Sequence, residues 1–481
     1  MKYRIGICIA AWMFLIPLAA QGQDAAKEEA KIQTIKIVLH PMPEPRPALK
    51  YKLLPRFIDL KPGNAALFYD RLTAQDHALF FENEELWGKA LDWADESPIS
   101  KLTDEKVRSL IIGWTRKIDE IKRASQCEYC DWQVPIREYG YATSLAEIQQ
   151  TRSYARLLAP YARLQIAEGK YDEALDTMQA GYSLGRHVAN GPTLVHNLIG
   201  CAIVNMMSME VRELIQQPEA PNLYWALTDL PNPIIDFRPG LTAEYDFLYM
   251  QFPELQHLDP KIVAREEWAV ILNKAMEKLT RIASSSSPNR WVPGISAAML
   301  MEKYPLAKKF LIERGFSADD VENMPVSEVV LLATFRQYDE MRDELFKWMY
   351  LPYPEAIAGM KRGDSKMMEI FRNGQEILPF GSLLLPAVSA AKVAEARTAR
   401  EIAILRTFEA IRLYAAAHDD QLPEKLSDIT DVPVPIDPVH GTPFIYNRIY
   451  NTAILEAPGG SGLDPKHYWL RYEIHIESKG K

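Results

Sequence analysis

Hydrophobic residues recur every three or four positions from about residue 64 to residue 283, which predicts a series of amphipathic helices. Pro160 lies inside one of them and is expected to kink or interrupt it, because proline has no amide hydrogen to donate. The helices predicted in this first lobe span residues 104–122, 144–167, 171–188, 193–215 and 259–282.

A serine run, Ser284 to Ser287, is followed by Pro288 and predicts a linker between two helical lobes. The second lobe, residues 284–380, has the same helical spacing of hydrophobic positions. Its predicted helices span residues 297–314, 326–349 and 352–361.

The last hundred residues have a different pattern. One long helix is predicted over residues 386–418, followed by turn signals such as Asp437-Pro438 and His440-Gly441. Short strands are predicted at 444–446 and 453–455, and residues 468–476 alternate as a half-buried strand of an antiparallel sheet does. The expected fold is therefore mainly α: a helical array of αα-hairpins with a small C-terminal α+β unit at 381–481.

The N-terminus has the pattern of a secretory signal peptide. Lys2 and Arg4 precede an apolar run from Ile5 to Ala20, and the small residues around Gly22 predict cleavage after that residue. A retained membrane anchor is the alternative, although the apolar run is short for a spanning helix. A polar and proline-rich arm, residues 23–63, follows. The chain is thus expected to be exported to the periplasm or cell envelope, with no stable membrane span after cleavage.

Composition narrows the possible partners. The 481 residues are 48% hydrophobic and 25% charged, as in globular proteins, and the net charge is −9. Removal of Lys2 and Arg4 with the signal peptide would make the chain more acidic still. An acidic chain without basic blocks is a poor ligand for nucleic acid or anionic lipid, and solubility is sufficient to explain its charge. The oligomeric state is left open by the sequence.

Cysteine use is low, and three cysteines remain after the predicted cleavage: Cys127, Cys130 and Cys201. Cys127 and Cys130 have the spacing of a redox pair, but a predicted helix precedes them where a thioredoxin-type site has a strand. No second pair is present to complete a zinc site. A disulfide between Cys127 and Cys130, or two free thiols, is the expectation.

A group of polar residues flanks the turn at Gly191-Pro192 in an otherwise apolar region, and it is the candidate small-molecule pocket. Its two histidines lie nine positions apart, and no carboxylate is apparent nearby to support a metal. The members of this polar cluster are Arg186, His187, Asn190, Thr193 and His196.

Specific catalytic patterns are missing from the sequence. It contains no Gly-x-Ser-x-Gly elbow, P-loop, His-Glu-x-x-His or Gly-x-Gly-x-x-Gly motif. Adjacent acids such as Glu266-Glu267 would point in different directions on a helix. No catalytic, cofactor-binding or metal-ligating residue is therefore predicted, and no cofactor is expected.

One helical junction resembles a tetratricopeptide repeat. Gly169 would end one helix, and Tyr171 and Ala174 would let the next helix pack closely against it. An ordinary αα-hairpin is the alternative, because Met178 and Gly181 depart from the repeat's pattern. The matching residues are Glu168-Gly169-Lys170-Tyr171-Asp172-Glu173-Ala174-Leu175.

The C-terminal segment resembles the head of type II secretion pseudopilins, in which a long helix, a turn, a proline-rich loop and a small antiparallel sheet follow one another. The matching residues are Leu422-Pro423-Glu424-Lys425-Leu426 and Pro435-Ile436-Asp437-Pro438-Val439-His440-Gly441-Thr442-Pro443-Phe444-Ile445-Tyr446. Here the helix is internal and no prepilin cleavage site precedes it. The resemblance implies a reused shape.

The chain as a whole is similar to a set of large exported proteins of planctomycete-type bacteria, and this resemblance implies no activity. It rests on the arm at 48–55 and 62–66, on Cys130-Asp131-Trp132, on 184–194 and on the C-terminal loop. The first functional hypothesis is a non-catalytic helical envelope protein that binds a protein partner. The alternatives are an enzyme with a site near Arg186 and His187, or a secretion-system accessory protein.

Overall fold

The structure is a computed structural model that describes residues 34–72, 102, 104–140, 143, 145–255, 263–286, 297–385, 388–460 and 469–477. The predicted signal peptide, residues 1–22, lies outside the described residues. The fold is mainly helical with a small sheet near the C-terminus, as the periodicity predicted.

Most predicted helices are present with boundaries shifted by a few residues. The helices of the described residues are α1 (Glu105–Ile112), α2 (Thr115–Ser125), α3 (Ile136–Tyr139), α4 (Ala146–Ala167), α5 (Tyr171–Ala189), α6 (Leu194–Ile215), α7 (Tyr224–Thr228), α8 (Arg238–Gln251), α9 (Glu267–Ser286), α10 (Ala297–Glu313), α11 (Ala318–Asn323), α12 (Val326–Phe346), α13 (Tyr353–Arg372), α14 (Phe380–Leu384) and α15 (Val388–Ala417).

Three predicted helices and the predicted linker differ from the structure, and the helix predicted over 352–361 is longer, since it runs on to Arg372 as α13. The helix over 104–122 is two helices, because the chain breaks at Gly113 and Trp114 and the indole of Trp114 turns into the core. Helix α4 runs through Pro160 without interruption. The expected linker is partly wrong, since Ser284 to Ser286 belong to the end of α9.

Helix α6 lies at the centre of the helical part and packs against α4, α5 and α15. It is apolar and long enough to cross a membrane, but 72% of its most apolar window is buried inside the protein. Close approach to α5 depends on small residues: a Cβ on Gly200 would lie 2.6 Å from the carbonyl oxygen of Gly185. This burial identifies α6 as the core helix.

A four-stranded sheet packs against α15, where the ring centroids of Phe408 and Tyr472 lie 5.2 Å apart. Its strands are β1 (Thr34–Leu39), β6 (Ile445–Ile449), β7 (Thr452–Ala457) and β8 (Leu470–Ile476), in the order β1-β8-β7-β6. Strands β6, β7 and β8 pair antiparallel, as predicted. Strand β1 pairs parallel with β8, and the sequence did not predict it. Residues 34–39 of the arm are therefore part of the C-terminal sheet.

Of two smaller pairings, the first connects distant parts of the chain and the second is a local hairpin. Strand β2 (Lys61–Asn64) pairs with β3 (Cys127–Tyr129), and β4 (Ile436–Asp437) pairs with β5 (Thr442–Pro443). Asp437 is held by Arg400 of α15 at 2.7 and 2.9 Å, and its Oδ1 also accepts the amide of Val439. The predicted turn chemistry of Asp437 is confirmed, with a buried ion pair added to it.

Arg412 of α15 forms the most enclosed ion pair. It and Glu409 are both fully buried, with a closest N–O distance of 2.9 Å. The guanidinium also donates to the carbonyl oxygens of His40, Ala220 and Pro221. One side chain thus joins the arm, the connection after α6 and the long C-terminal helix.

We expect Arg412→Leu to lower the free energy of unfolding by about 3–5 kcal/mol, because it leaves the carboxylate of Glu409 and three carbonyl groups without their buried partner. Urea unfolding followed by circular dichroism measures the change. The control Arg448→Leu removes a partly exposed arginine whose bonds are local to one hairpin and its neighbouring loop. An equal loss in both variants would contradict the special role of Arg412.

Candidate functional site

The predicted polar cluster surrounds the turn between α5 and α6, but its members do not converge. Arg186 and Asn190 are exposed, whereas Thr193 and His196 are buried. The two histidines have different partners on different elements. None of the five residues lines either of the two cavities described below.

Two residues that precede α5 in the sequence, Tyr69 and Trp132, hold His187 in place. The hydroxyl of Tyr69, in the helical residues 66–72, lies 3.1 Å from His187 Nδ1, and the indole of Trp132 donates to the His187 carbonyl oxygen. Tyr69 and Trp132 stack with their centroids 5.6 Å apart. Burial, together with the charge of Arg186, lowers the pKa of His187 to about 4. His187 is therefore a neutral packing residue.

His196 is enclosed at the start of α6. Its Nδ1 lies 2.7 Å from the hydroxyl of Thr193, and its ring rests on Gly191, where a Cβ would lie 1.9 Å from Cδ2. Burial lowers the pKa of His196 to about 4. Its Nε2 is buried without a hydrogen-bond partner among the described residues.

Helix α8 covers this cluster and was not identified from the sequence as part of it. Glu244 accepts the amide of Leu194 at 3.3 Å, and burial raises the pKa of Glu244 to about 7. Asn197 donates to the carbonyl oxygens of Ala189 and Asp236. A Cβ on Gly240 would lie 2.1 Å from Asn197 Oδ1, so the two helices are in direct contact. The cluster is thus a packed joint between α5, α6 and α8.

Neither histidine contacts a carboxylate in the described part of the chain. Within the same residues no group of three or more histidine, cysteine, aspartate or glutamate side chains is placed to hold a metal ion. A packed cluster without a carboxylate-held histidine gives no support to acid–base catalysis at Arg186 and His187.

On the other side of α8 lies an open cleft of about 950 Å³ between α3, α8 and α12. Buried side chains of Leu255, Leu332 and Phe335 line it, and Asp246 and Arg336 stand exposed at its edge. Pro192 of the turn also lines this cleft, which places the predicted cluster directly behind its wall.

Arg342 of α12 fixes the wall between this cleft and a second cavity. Its Nη1 lies 2.8 Å from Asp339 Oδ1, and its Nη2 donates to the hydroxyl of Tyr245 at 2.9 Å. Its guanidinium carbon lies 3.8 Å from the ring centroid of Tyr245. The hydroxyl of Tyr249 reaches both oxygens of Asp339. These contacts join α8 rigidly to α12.

The second cavity is a groove of about 820 Å³ between α10, α12 and α13, here called the α13 groove. Buried apolar side chains line its base: Phe310, Met341, Phe346 and Met367.

Four positive and four negative side chains line the α13 groove, and several of them form ion pairs with one another. Arg314 binds Glu340 at 2.7 Å, and Lys347 binds Glu344 at 2.7 Å. The net field over the groove is therefore weak, and its apolar base dominates what it can bind.

The cysteines are free thiols in this structure and all three are buried. Burial raises the pKa of the Cys130 thiol far above its ordinary value and raises that of Cys201 to about 12. Protonated, buried thiols are poor nucleophiles, which disfavours thiol redox catalysis. The disulfide between Cys127 and Cys130 remains a prediction.

Comparison with family models, curated proteins and solved structures finds no match for this chain.

We expect His196→Phe to remove about half of the histidine-linked dependence of stability on pH between about 6.5 and 4, because His187 has the same lowered pKa and supplies the rest. The folded pKa of about 4 lies below the ordinary 6.5, so the unfolded chain binds the proton first and stability falls as the pH falls. Near pH 4 the lowered pKa of His196 reduces the free energy of unfolding by about 3 kcal/mol, because the folded and unfolded pKa values differ by roughly 2.5.

Urea midpoints of the wild type and His196→Phe across this pH range measure the effect. The control His418→Phe replaces an exposed histidine and should keep the wild-type slope. An unchanged slope in His196→Phe would show that His196 does not carry the pH dependence.

Proposed function

We propose that this protein is an exported, non-catalytic helical protein of the periplasm or cell envelope that binds a protein partner in the α13 groove. The observation that carries the proposal is the combination of a buried apolar base with a rim of mutually paired charges. Such a surface favours an apolar face presented by a partner, since its own charges are already compensated.

The shape of the groove supports an amphipathic helix as the bound segment. Helices α10, α12 and α13 form its walls, and side chains at the spacing of one helical turn, such as Met367 and Ile370, line one side. An apolar helix face inserts its side chains into a groove of this kind at three- and four-residue intervals. The partner proposed is therefore a protein that presents such a helix.

Export is proposed from the N-terminal pattern of Lys2, Arg4 and the apolar run to Ala20. In secreted material, mass spectrometry of the N-terminal peptide should find Gln23 as the first residue. A chain that keeps residues 1–22 and sediments with membranes would instead identify an anchor. A chain found only in the cytoplasm with its N-terminus intact would contradict export.

The interpretation of the junction after α4 as tetratricopeptide-like is supported by its local geometry. Gly169 has φ of +72°, the amide of Lys170 bonds to the carbonyl oxygen of Gln165, and Ala174 is fully buried between the helices. These features suit a single helical hairpin that contributes to the scaffold.

The pseudopilin-like shape at the C-terminus is a weaker basis for function. Helix α15 packs along α6, and Arg212 of α6 binds Glu401 of α15 at 3.2 Å. A segment held in this way supports a structural role for the pseudopilin-like unit more than a secretion-system accessory function.

The groove is tested with a photo-crosslinking side chain, p-benzoylphenylalanine, placed at Tyr350 of the full chain in its native envelope fraction. Tyr350 lines the groove and is 60% exposed, whereas Tyr139, the control position, is 61% exposed and lies elsewhere. We expect one discrete adduct from position 350 and none from position 139.

The variant Ile370→Glu should then lower the yield of that adduct at least tenfold, because it places a charge in the groove. Met368→Glu is the matched control, since Met368 is 43% exposed on the same helix and does not line the groove. Melting curves of both variants establish that they fold. An adduct that survives Ile370→Glu, or that is lost equally in Met368→Glu, would contradict the proposal.

A further inference from the structure

Strand β6 forms an edge of the four-stranded sheet. It pairs with β7 through a regular register, from Ile445 opposite Glu456 to Ile449 opposite Thr452, and its other side faces no strand among the described residues. Natural edge strands are usually protected by lysine, proline or a bulge. Strand β6 contains no lysine, proline or bulge, and the guanidinium of Arg448 is engaged by Leu422 and Glu424.

The two-residue turn at Tyr450 and Asn451 determines which backbone groups point outward. In a hairpin of this kind the closing residues, Ile449 and Thr452, exchange hydrogen bonds, and hydrogen-bonded pairs then alternate along the strand. Ile445, Asn447 and Ile449 therefore bond to β7. The amides and carbonyls of Tyr446 and Arg448 point to the open edge.

The side chains of Tyr446 and Arg448 keep this edge rigid. The hydroxyl of Tyr446 donates to the Pro423 carbonyl oxygen at 3.0 Å, and Arg448 donates to the carbonyl oxygens of Leu422 and Tyr450. The strand is held in its extended form before anything binds it, which lowers the entropy cost of adding another strand.

The residues of β6 are complementary to themselves about Asn447. In an antiparallel pair of two copies centred on Asn447, each Ile445 meets Ile449, each Tyr446 meets Arg448, and Asn447 meets Asn447. Tyr446 and Arg448, which point their backbone groups outward, become the two hydrogen-bonded pairs and exchange four bonds. Both the side-chain match and the hydrogen-bond alternation thus agree on one register.

Apolar side chains are exposed to solvent along this edge. Ile445 and Ile449 are 44% and 55% exposed on one face, and the neighbouring Tyr450 is 89% exposed. The twofold register places each exposed isoleucine beside the other one of the second copy. Apolar cross-strand pairs of this kind stabilise a sheet.

We propose that two copies of this chain associate through an antiparallel β6–β6 pair with its twofold axis at Asn447. The resulting sheet is continuous across both copies and has eight strands. A five-residue edge buries much less than the ~800 Å² per partner of a stable interface, so the dimer is expected to be weak and reversible.

Disulfide trapping tests the register. The full chain carries Cys8→Ser in this experiment, and its other three cysteines are buried. In Asn447→Cys the two thiols would meet at a non-hydrogen-bonded pair with Cα atoms about 4.5 Å apart, within the range of disulfides. Mild oxidation should give a covalent dimer on a non-reducing gel. Ile445→Cys or Ile449→Cys alone should give little, whereas their equimolar mixture should crosslink.

Sedimentation velocity over a range of concentrations supplies the second measurement. Asn447→Lys places two ammonium groups opposite each other and should raise the dissociation constant at least tenfold. The control Asn451→Lys carries the same charge on the adjacent turn and should change it less than threefold.

Three results would overturn the proposal. The first is no more covalent dimer from Asn447→Cys than from Ile445→Cys. The second is self-crosslinking of Ile445→Cys, which indicates a different register or another strand at the edge. The third is a chain that remains monomeric at the highest concentration measured and is not trapped.

Discussion

The enclosed guanidinium of Arg412 is the constraint on which the arrangement of the chain depends. A cation removed from water requires an anion and hydrogen-bond acceptors, and Arg412 finds them in Glu409 and in three backbone carbonyl groups. One carbonyl belongs to His40, within the arm. The requirement therefore draws the arm against α15, and β1, which precedes His40 directly, comes to lie beside β8.

Local periodicity was sufficient to predict most helices, because a helix buries one face of a continuous segment. It was not sufficient for β1, whose partner strand is far away in the sequence: His40 and Glu477, which bond next to this pairing, are 437 positions apart. The prolines from Pro41 to Pro47 also favoured an arm without regular structure. The break at Gly113 was missed for a related reason, since Trp114 continues the helical spacing of apolar residues while entering the core from a turn.

The polar cluster shows how sequence proximity differs from convergence in space. Arg186 and His187 are neighbours in sequence, yet one is exposed and the other is held by Tyr69 from a distant segment. Glu244, which caps α6, is fifty positions from the amide that it accepts, and no short pattern marks it. Its raised pKa and the lowered pKa of His196 arise from the same enclosure, which disfavours the charged form of each group.

Charge compensation inside the fold also decides which surfaces remain available for recognition. Around the α13 groove, Arg314 and Lys347 are already paired, so a partner gains little from carrying charge and must bind through apolar contacts. At the sheet edge, Tyr446 and Arg448 have their side chains committed to neighbouring carbonyls, so backbone groups, Asn447 and the exposed isoleucines are left to interact. The two surfaces thus differ in chemistry: one selects an apolar helix face, and the other selects an extended strand. The two surfaces lie on separate elements and share no residue.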